Sequence, residues 1–386
     1  MPENTAPPAP KPDLVPGLAG IPAAESAISF IDGNQGLLAY RGHPIESLSE
    51  KSNFEETAWL LLYGKLPSRA ELDSFSATLA EMRQLPERMI EILRALPGSG
   101  HPMDALQASM ASFGMFSRHQ NFRDTEYSDE AIMRILGAMP VLVAAFDRIR
   151  GGKDVIEPDP SLGTAANFLW MLTGHKPSEL EARILDVALI LHADHTMNAS
   201  TFAARVVAST EADPYTVVSS AIGALTGPLH GGANERVLEQ LREIGEADSV
   251  EAWVDGQVTA KRKIMGFGHR VYKVKDPRAD ILQSLANNLF ESHGHTPIYD
   301  TAVNLEDEVV KRLGDKGIHP NVDFYSGIVY SKLSIPIDLF TPIFAIARTA
   351  GWLAHWREQM ASNRIFRPTQ IYSGEHEQRY VPIESR

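Results

Sequence analysis

Residues 266–278 read Gly-Phe-Gly-His-Arg-Val-Tyr-Lys-Val-Lys-Asp-Pro-Arg, a glycine-interrupted turn with a histidine at its exit. Glycines in such a turn let backbone N–H groups come close to a ligand. Asp276 followed by Pro277 is the pattern of a capped helix start, and it places Arg278 just inside that helix. The stretch therefore predicts a loop-to-helix junction that presents His269 and Arg278 nine positions apart.

Two further polar loops make this junction more than an ordinary turn. Residues 227–234 read Gly-Pro-Leu-His-Gly-Gly-Ala-Asn, and residues 319–327 read His-Pro-Asn-Val-Asp-Phe-Tyr-Ser-Gly. They add His230 and Asp323 to His269, each in a loop rich in glycine or proline. Histidine and aspartate are common proton-transfer groups, so the three residues form a possible acid/base set.

A structural role stays open for two members of this set when each is taken alone. Asp323 follows a proline and an asparagine, and it would serve well as the N-cap of a helix that runs to Leu333. His230 would be an ordinary loop histidine, although the glycines after it leave room for a ligand.

Residues 192–195, His-Ala-Asp-His, end an apolar helix and allow three interpretations. Two histidines three positions apart share a helix face and can bind a metal, but no third ligand is evident. Either histidine can instead be satisfied by backbone groups. The third interpretation makes His195 a donor to a polar or anionic substrate.

Two arginines indicate an anionic ligand, and one of them is a stronger indication than the other. Arg348 interrupts an otherwise apolar run, and burying an unpaired guanidinium costs several kcal/mol, so an anionic partner is expected. A carboxylate ligand matches the planar fork of its N–H groups. Arg367, which precedes a proline, carries the weaker signal because such arginines are usually just solvated.

The composition excludes several classes of protein. The 386 residues are 44% hydrophobic and 22% charged, which is typical of a soluble globular chain of two or three domains. A net charge of −13 argues against a nucleic-acid partner. The chain has no cysteine, so disulfides, a thiol nucleophile and Cys-bound metal are excluded, and a reducing compartment such as the cytoplasm is expected.

Neither the N-terminal residues nor the longest apolar stretch predicts a membrane segment. The first twelve residues are rich in proline and alanine and lack the apolar core of a signal peptide. The longest apolar stretch, residues 339–356, is interrupted by Pro342, Arg348 and His355. It is therefore predicted to be a buried helix.

The order of local signals predicts a mainly α fold with one hairpin. Residues 1–16 contain six prolines and are expected to be disordered. Residues 28–32 and 36–40 form a predicted hairpin around Gly33-Asn34. Helix starts then recur, which gives roughly fifteen helices. The clearest starts are at Asn53, Ser68, Ser178, Asp213 and Asp276.

A change in composition predicts a smaller helical domain inserted into a larger one. Residues 233–328 are more charged than their flanks, which are rich in Ala, Leu, Ile and Met. Glycine-rich hinges near Gly231-Gly232 and Gly327 bound this segment. The large domain then comprises residues 17–232 and 329–386, the latter ending in a C-terminal arm.

Four motifs occur in an order and at intervals that resemble citrate synthase: GPLHGGAN, MGFGHRVYKVKDPR, HPNVDFYSG and RPTQIYSG. The likeness runs from the Asp32-Gly33 hairpin to Gly374. It implies an almost all-α homodimer in which a small domain closes over the cleft. It also implies condensation of acetyl-CoA with oxaloacetate and water to give citrate and CoA, in the tricarboxylic acid cycle, without a metal or another cofactor.

The resemblance also implies roles for individual residues. His230 corresponds to the group that hydrogen-bonds the thioester carbonyl, Asp323 to the base that takes the methyl proton, and His269 to the group that polarises the ketone. The implied oxaloacetate ligands are His195, Arg278, Arg348 and, from the partner subunit, Arg367. The expected coenzyme-binding residues are Lys261, Arg262, Lys263, Gly266, Phe267, Gly268 and Lys273.

Other activities stay open at this stage. Longer bacterial relatives under NADH control carry an N-terminal β domain, whereas only a proline-rich lead precedes the hairpin here, so the short, dimeric, unregulated type is expected. Some members of that type are 2-methylcitrate synthases that use propionyl-CoA and share the motifs. A remote alternative is a helical metal-binding hydrolase or binding protein that uses His192, Asp194 and His195.

Overall fold

The computed structural model describes residues 14–117, 124–294 and 296–386. The lead predicted to be disordered, residues 1–16, falls almost entirely outside these ranges. Within them the chain is mainly helical, as predicted, with sixteen α-helices against roughly fifteen expected. One small sheet and several short 3-10 helices complete the described elements.

The predicted hairpin is confirmed and continues into a third short strand. Strands β1 (Ser29–Asp32), β2 (Leu37–Tyr40) and β3 (His43–Pro44) form an antiparallel sheet in the order β1-β2-β3. The Asp32 carboxylate accepts the backbone N–H groups of Asn34 and Gln35 at 2.9 and 3.0 Å, which closes the turn. β3 escaped prediction because two residues show no alternation.

The helices follow in one nearly unbroken series. The first eight are α1 (Ile45–Lys51), α2 (Phe54–Tyr63), α3 (Arg69–Met82), α4 (Glu87–Ala95), α5 (Pro102–Phe113), α6 (Thr125–Arg150), α7 (Thr164–Thr173) and α8 (Glu179–His192). The other eight are α9 (Ala199–Ala208), α10 (Pro214–Thr226), α11 (Ala233–Ile244), α12 (Val250–Thr259), α13 (Pro277–His293), α14 (Pro297–Leu313), α15 (Val322–Lys332) and α16 (Phe340–Ala361).

The predicted helix starts are present with their capping contacts. Ser68 and Ser178 each form a complete capping box with the glutamate three residues later. Asn53 supplies only its own half of the box, accepting the backbone N–H of Glu56. Asp213 and Asp276 cap helices that begin with proline. Local polar signals therefore located these starts correctly.

Helix α16 is the centre of the core. It packs against α2, α5, α6, α8, α9, α10 and α11, and all its residues from Phe340 to Trp356 are buried. By length and composition the segment Ile337–Ala361 could cross a membrane, but 89% of its most apolar window is buried inside the protein. It is thus the buried helix that the sequence predicts.

Helices α11 to α15 pack mainly on one another. The most extensive contacts in this group join α13 with α15, α11 with α15 and α12 with α14. Further contacts join the group to α1, α8 and α16. The loops that carry His230 and His269 flank helices of this group.

Candidate active site

The polar residues selected for the site lie in loops or at the start of a helix, with one exception. Three histidines occupy loops: His195 after α8, His230 between α10 and α11, and His269 between α12 and α13. Arg278 and Asp323 are each the second residue of a helix, α13 and α15. Arg348 is the exception, because it lies in the middle of α16.

The tertiary structure brings these residues together around two aromatic side chains. The rings of His195 and His269 are 5.2 Å apart, and each is in contact with the ring of Tyr272. The Arg348 guanidinium lies 4.7 Å above the Phe344 ring, and the His230 ring is 6.4 Å from the same phenylalanine. Asp323 is close enough to Arg278 and Arg348 for their charges to lower its pKa.

Backbone hydrogen bonds join the His269 loop to the loop that precedes Asp323. Gly268 N–H donates to the His319 carbonyl at 2.8 Å, and Asn321 N–H donates to the Gly266 carbonyl at 2.9 Å. Gly266 has a φ of 80°, and a Cβ there would lie 2.8 Å from the Phe324 ring. Only glycine allows both this backbone conformation and this close approach.

Hydrogen bonds determine which nitrogen of His269 carries its proton. Its Nδ1 accepts the backbone N–H groups of Val271 and Tyr272 at 3.0 and 3.2 Å. Burial, followed by the charge of Arg278, lowers its pKa to about 4. The ring is therefore neutral near pH 7, and Nε2–H is the group left to donate to a ligand.

The opposite tautomer is set at His230. Its Nε2 accepts the backbone N–H of Ser200 at 3.2 Å and lies 2.9 Å from the Ser200 hydroxyl oxygen. Trp352 fixes that hydroxyl by donating its Nε1–H at 3.1 Å. Burial and Arg348 lower the pKa of His230 to about 4. The neutral ring therefore offers Nδ1–H as a donor.

His195 is buried and contacts Tyr272. The His195 Nε2 lies 3.3 Å from the Tyr272 hydroxyl oxygen. Burial, then Arg278 and His269, hold the pKa of His195 well below its usual value, while burial raises the pKa of the Tyr272 phenol. Both side chains are thus neutral hydrogen-bonding groups.

Asp323 is a carboxyl group without a partner for one of its oxygens. Its sequence context also allowed Asp323 to be the N-cap of α15. In the structure Asn321 caps this helix instead, by accepting the Asp323 N–H at 3.0 Å. The Asp323 Oδ1 is buried and has no hydrogen-bond partner among the described residues. Burial raises its pKa to about 7, against the lowering effect of the two arginines. A carboxyl of this kind is poised to exchange a proton near neutral pH.

The two buried arginines differ in what balances their charge. Arg278 forms a two-point ion pair with Asp276, with N–O distances of 3.0 and 2.7 Å, and this carboxylate raises its pKa in spite of burial. Among the described residues no carboxylate lies within 4 Å of Arg348, whose Nε donates to the His192 carbonyl at 2.7 Å. Burial lowers the pKa of Arg348 to about 10. Asp194 and Asp323 act on its charge only from a longer distance, so an anionic ligand would be the first carboxylate in direct contact with Arg348.

The remaining predicted residues lie outside this group of contacts. Arg367 is exposed in the extended segment after α16, and its Nη1 donates to the neighbouring Pro368 carbonyl at 3.0 Å. The predicted coenzyme cations are all exposed, namely Lys261, Arg262, Lys263 and Lys273. The Phe267 side chain is buried against Phe324, so it is not available to a ligand.

The metal-binding alternative finds little support at residues 192–195. His192 Nδ1 lies 2.7 Å from the Ala188 carbonyl oxygen, and Asp194 accepts from Ser29 and the Thr196 N–H. In the part of the chain that the structure describes, no group of three or more His, Cys, Asp or Glu side chains could hold a metal ion.

Sequence reasoning missed the residues that orient the histidines and charges. Ser200 and Trp352 carry no motif of their own, and only their contacts reveal them. Asp276 was predicted as a helix cap, but its ion pair with Arg278 was not predicted. Tyr272 lies inside the quoted loop, where its aromatic ring between Val271 and Lys273 was the available signal. His355 was visible as a second polar interruption of α16, seven residues after Arg348.

Together, the fold and the site define a mainly α protein in which neutral imidazoles, a buried guanidinium and one unpaired carboxyl group lie close together, a set of groups suited to acid/base chemistry on an anionic substrate. The profile of the family described as "Citrate synthase, C-terminal domain" matches residues 17–369. The chain belongs to the citrate synthase family, and it is an acyltransferase.

Individual relatives agree with this assignment along nearly the whole chain. The citrate synthase of Synechocystis sp. is 54% identical, over 96% of this chain and 93% of the relative. The crystal structure of the Pyrobaculum aerophilum citrate synthase superposes with a TM-score of 0.91 at 40% identity, over 95% of this chain and 94% of that one. The Thermoplasma acidophilum citrate synthase, solved as a ternary complex with carboxymethyl coenzyme A and oxaloacetate, superposes with a TM-score of 0.89 at 34% identity, over 95% of this chain and 97% of that one.

Proposed function

We propose how the residues of this site divide the work of condensing acetyl-CoA with oxaloacetate, the reaction that membership of the citrate synthase family gives this chain. The Asp323 carboxylate takes a proton from the methyl group of acetyl-CoA. His230 Nδ1–H donates to the thioester oxygen while negative charge develops there. His269 Nε2–H donates to the ketone oxygen of oxaloacetate.

The weak acidity of a thioester methyl group explains why these groups act together. A lone carboxylate cannot deprotonate such a carbon usefully in water, so the developing enolate needs a donor in a site closed to solvent. The enolate carbon then bonds to the ketone carbon, and the ketone oxygen gains a proton. Water cleaves the thioester of the product, which releases citrate and CoA. The scheme uses no metal, because N–H donors and guanidinium groups stabilise the charges.

The observation that supports this scheme most is the pairing of an unbonded buried carboxyl group with two neutral imidazoles of defined tautomer. In each imidazole the protein occupies one nitrogen and leaves the other N–H available. Arg348, which has no carboxylate within 4 Å among the described residues, is the proposed anchor for a substrate carboxylate. His195 and Arg278 are proposed as further oxaloacetate ligands.

The reaction is tested by following thiol release from acetyl-CoA in the presence of oxaloacetate. We expect release that depends on both substrates and survives exhaustive chelation. The same assay with propionyl-CoA measures the 2-methylcitrate alternative, and the ratio of the two kcat/KM values decides between them. No release above background with either thioester would contradict the proposed function.

Arg348 provides a test of substrate binding. The Arg348→Met variant has an unbranched side chain that fills part of the same space but carries no charge. We expect the oxaloacetate KM to rise by about 100-fold or more, since a buried charge pair is worth a few kcal/mol. In the empty protein, removal of a buried cation is stabilising, whereas loss of the bond to the His192 carbonyl is destabilising, and thermal unfolding measures which effect is larger. An unchanged oxaloacetate KM would make Arg348 a purely structural residue.

The assembly and surroundings of the site are also proposals. We propose a homodimer in which Arg367 reaches the partner's cleft, which fits its exposed position outside its own site. Sedimentation at the mass of one 42.5 kDa chain would exclude it.

Residues 233–328 are proposed as the small domain that closes over both substrates. A cytoplasmic location is also proposed, and the absence of cysteine fits it.

The exposed cations are the proposed coenzyme contacts. Lys261, Arg262, Lys263 and Lys273 are exposed and have no carboxylate within 4 Å among the described residues, which supports a role in binding the coenzyme phosphates. Backbone contacts of the coenzyme with Gly266, Phe267 and Gly268 are also proposed, but few of their backbone polar groups are available. The Gly266 carbonyl and both polar groups of Gly268 are already bonded to residues 319–321.

A further inference from the structure

The turn formed by residues 192–196 is held residue by residue on one face of helix α16. Positions 348, 351 and 355 of that helix are three and four residues apart, so they share a face. They meet three successive residues of the turn. The contacts are Arg348 Nε to the His192 carbonyl at 2.7 Å, Gly351 N–H to the Ala193 carbonyl at 3.1 Å, and His355 Nε2 to Asp194 Oδ1 at 3.3 Å.

The hairpin holds the same turn from the other side. Ser29 and Tyr40 are directly opposite each other on β1 and β2. The Ser29 hydroxyl donates to Asp194 Oδ2. The Tyr40 hydroxyl donates to the Asp194 carbonyl at 2.9 Å and accepts the Asp194 N–H at 3.2 Å. Asp194 is therefore the residue at which the hairpin, the turn and α16 meet.

The charge on Asp194 is balanced within the same cluster. Its side chain is fully buried, and burial would raise its pKa, but His355 and Arg348 lower it, so the carboxylate is ionised. His355 Nδ1 accepts from Arg205 at 2.9 Å, which leaves the proton on Nε2, facing Asp194. The His355 and Asp194 atoms lie at ion-pair distance but are not aligned as a hydrogen bond.

We propose that Asp194 is a positioning residue for oxaloacetate binding. It fixes the turn that carries His195 against the helix that carries Arg348, and so it sets the separation of two groups that bind the substrate. This inference rests on the oxaloacetate-binding roles proposed above for those two residues. Asp194 itself does not touch the substrate, because its oxygens face Ser29, Thr196 and His355.

Two substitutions disturb this arrangement in different ways. Asp194→Asn removes the charge and keeps the shape. Gly351→Ala changes no charge, but its Cβ would lie 2.4 Å from the Ala193 carbonyl oxygen and 2.5 Å from Asp194 Oδ1, so the turn must move. Alanine is otherwise the better helix former, so any loss comes from this displacement. The matched control is Gly256→Ala in α12, where a Cβ meets nothing within 4 Å.

The experiment is calorimetric titration of oxaloacetate into each protein, which does not depend on turnover. We expect both variants to weaken binding by about 10- to 100-fold, the effect of a displacement near 1 Å, while the control binds like the wild type. In the turnover assay the oxaloacetate KM should rise more than the acetyl-CoA KM.

The possible outcomes separate positioning from simpler roles. If Asp194 acted only through its charge, Asp194→Asn would bind the dianion more tightly and Gly351→Ala would bind it normally. If its role were only structural, melting temperatures would fall while oxaloacetate affinity stayed within about twofold of the wild type. Either result overturns the proposal, and Gly351→Ala alone decides it if Asp194→Asn does not fold. Wild-type binding without thiol release would instead refute the proposed function.

Discussion

Asp323→Asn should lower kcat by about 10³-fold, the middle of the range for loss of a general base. The carboxylate is the only proton acceptor in the proposed scheme, and an amide cannot replace it. The measurement is thiol release at saturating acetyl-CoA and oxaloacetate. Asp307→Asn, an exposed change on α14, is the control and should retain full activity.

The pH dependence of the wild type follows from the same residue. The pKa of Asp323 is about 7, so kcat/KM should fall as the pH drops below 7 and the base becomes protonated. The free energy of unfolding changes with pH in the opposite direction. Because the folded-state pKa of Asp323 is raised, the contribution of this residue to stability is fully present below its unfolded pKa near 4 and is lost as the pH rises to 7.

Asparagine cannot ionise, so Asp323→Asn should be more stable than the wild type at neutral pH and equally stable near pH 4. The gain is on the order of a few kcal/mol, at roughly 1.4 kcal/mol for each pH unit between the two pKa values. Thermal unfolding between pH 4 and 8 measures it. Near-normal turnover in a folded Asp323→Asn protein would show that another group is the base.

His230→Ala should lower kcat by about 10²- to 10³-fold, the usual effect of removing one donor to a developing oxyanion. The oxaloacetate KM should change little, since the proposed contact is with acetyl-CoA. The exposed His175 provides the control, and His175→Ala should be fully active.

The tautomer of His230 allows a sharper test with two amides. The side-chain N–H of asparagine can take the place of histidine Nδ1–H, whereas that of glutamine takes the place of Nε2. Because Ser200 N–H occupies Nε2, we expect His230→Asn to retain more activity than His230→Gln. The reverse order would mean that Nε2 is the donor, and the Ser200 contact would have to break in the working enzyme.

Local chemistry explains which features of the fold could be predicted. The hairpin around Asp32 and the helix starts at Ser68 and Ser178 depend on contacts between residues at most three positions apart. Such contacts leave a direct trace in the sequence. Asp323 shows the limit of this reasoning, because two residues only two positions apart could cap α15, and Asn321 does so.

The sequence by itself determined the class of fold, the family motifs and the candidate groups, since residue type and spacing carry that information. Tertiary structure alone decided which nitrogen of His230 carries a proton, that Arg348 lies against the His192 carbonyl with no carboxylate within 4 Å among the described residues, and that Asp194 joins the hairpin to α16. These properties arise from contacts between residues 30 to 165 positions apart and from removal of water. Burial shifts a pKa and a distant backbone N–H selects a tautomer, and neither effect is written in the neighbouring residues.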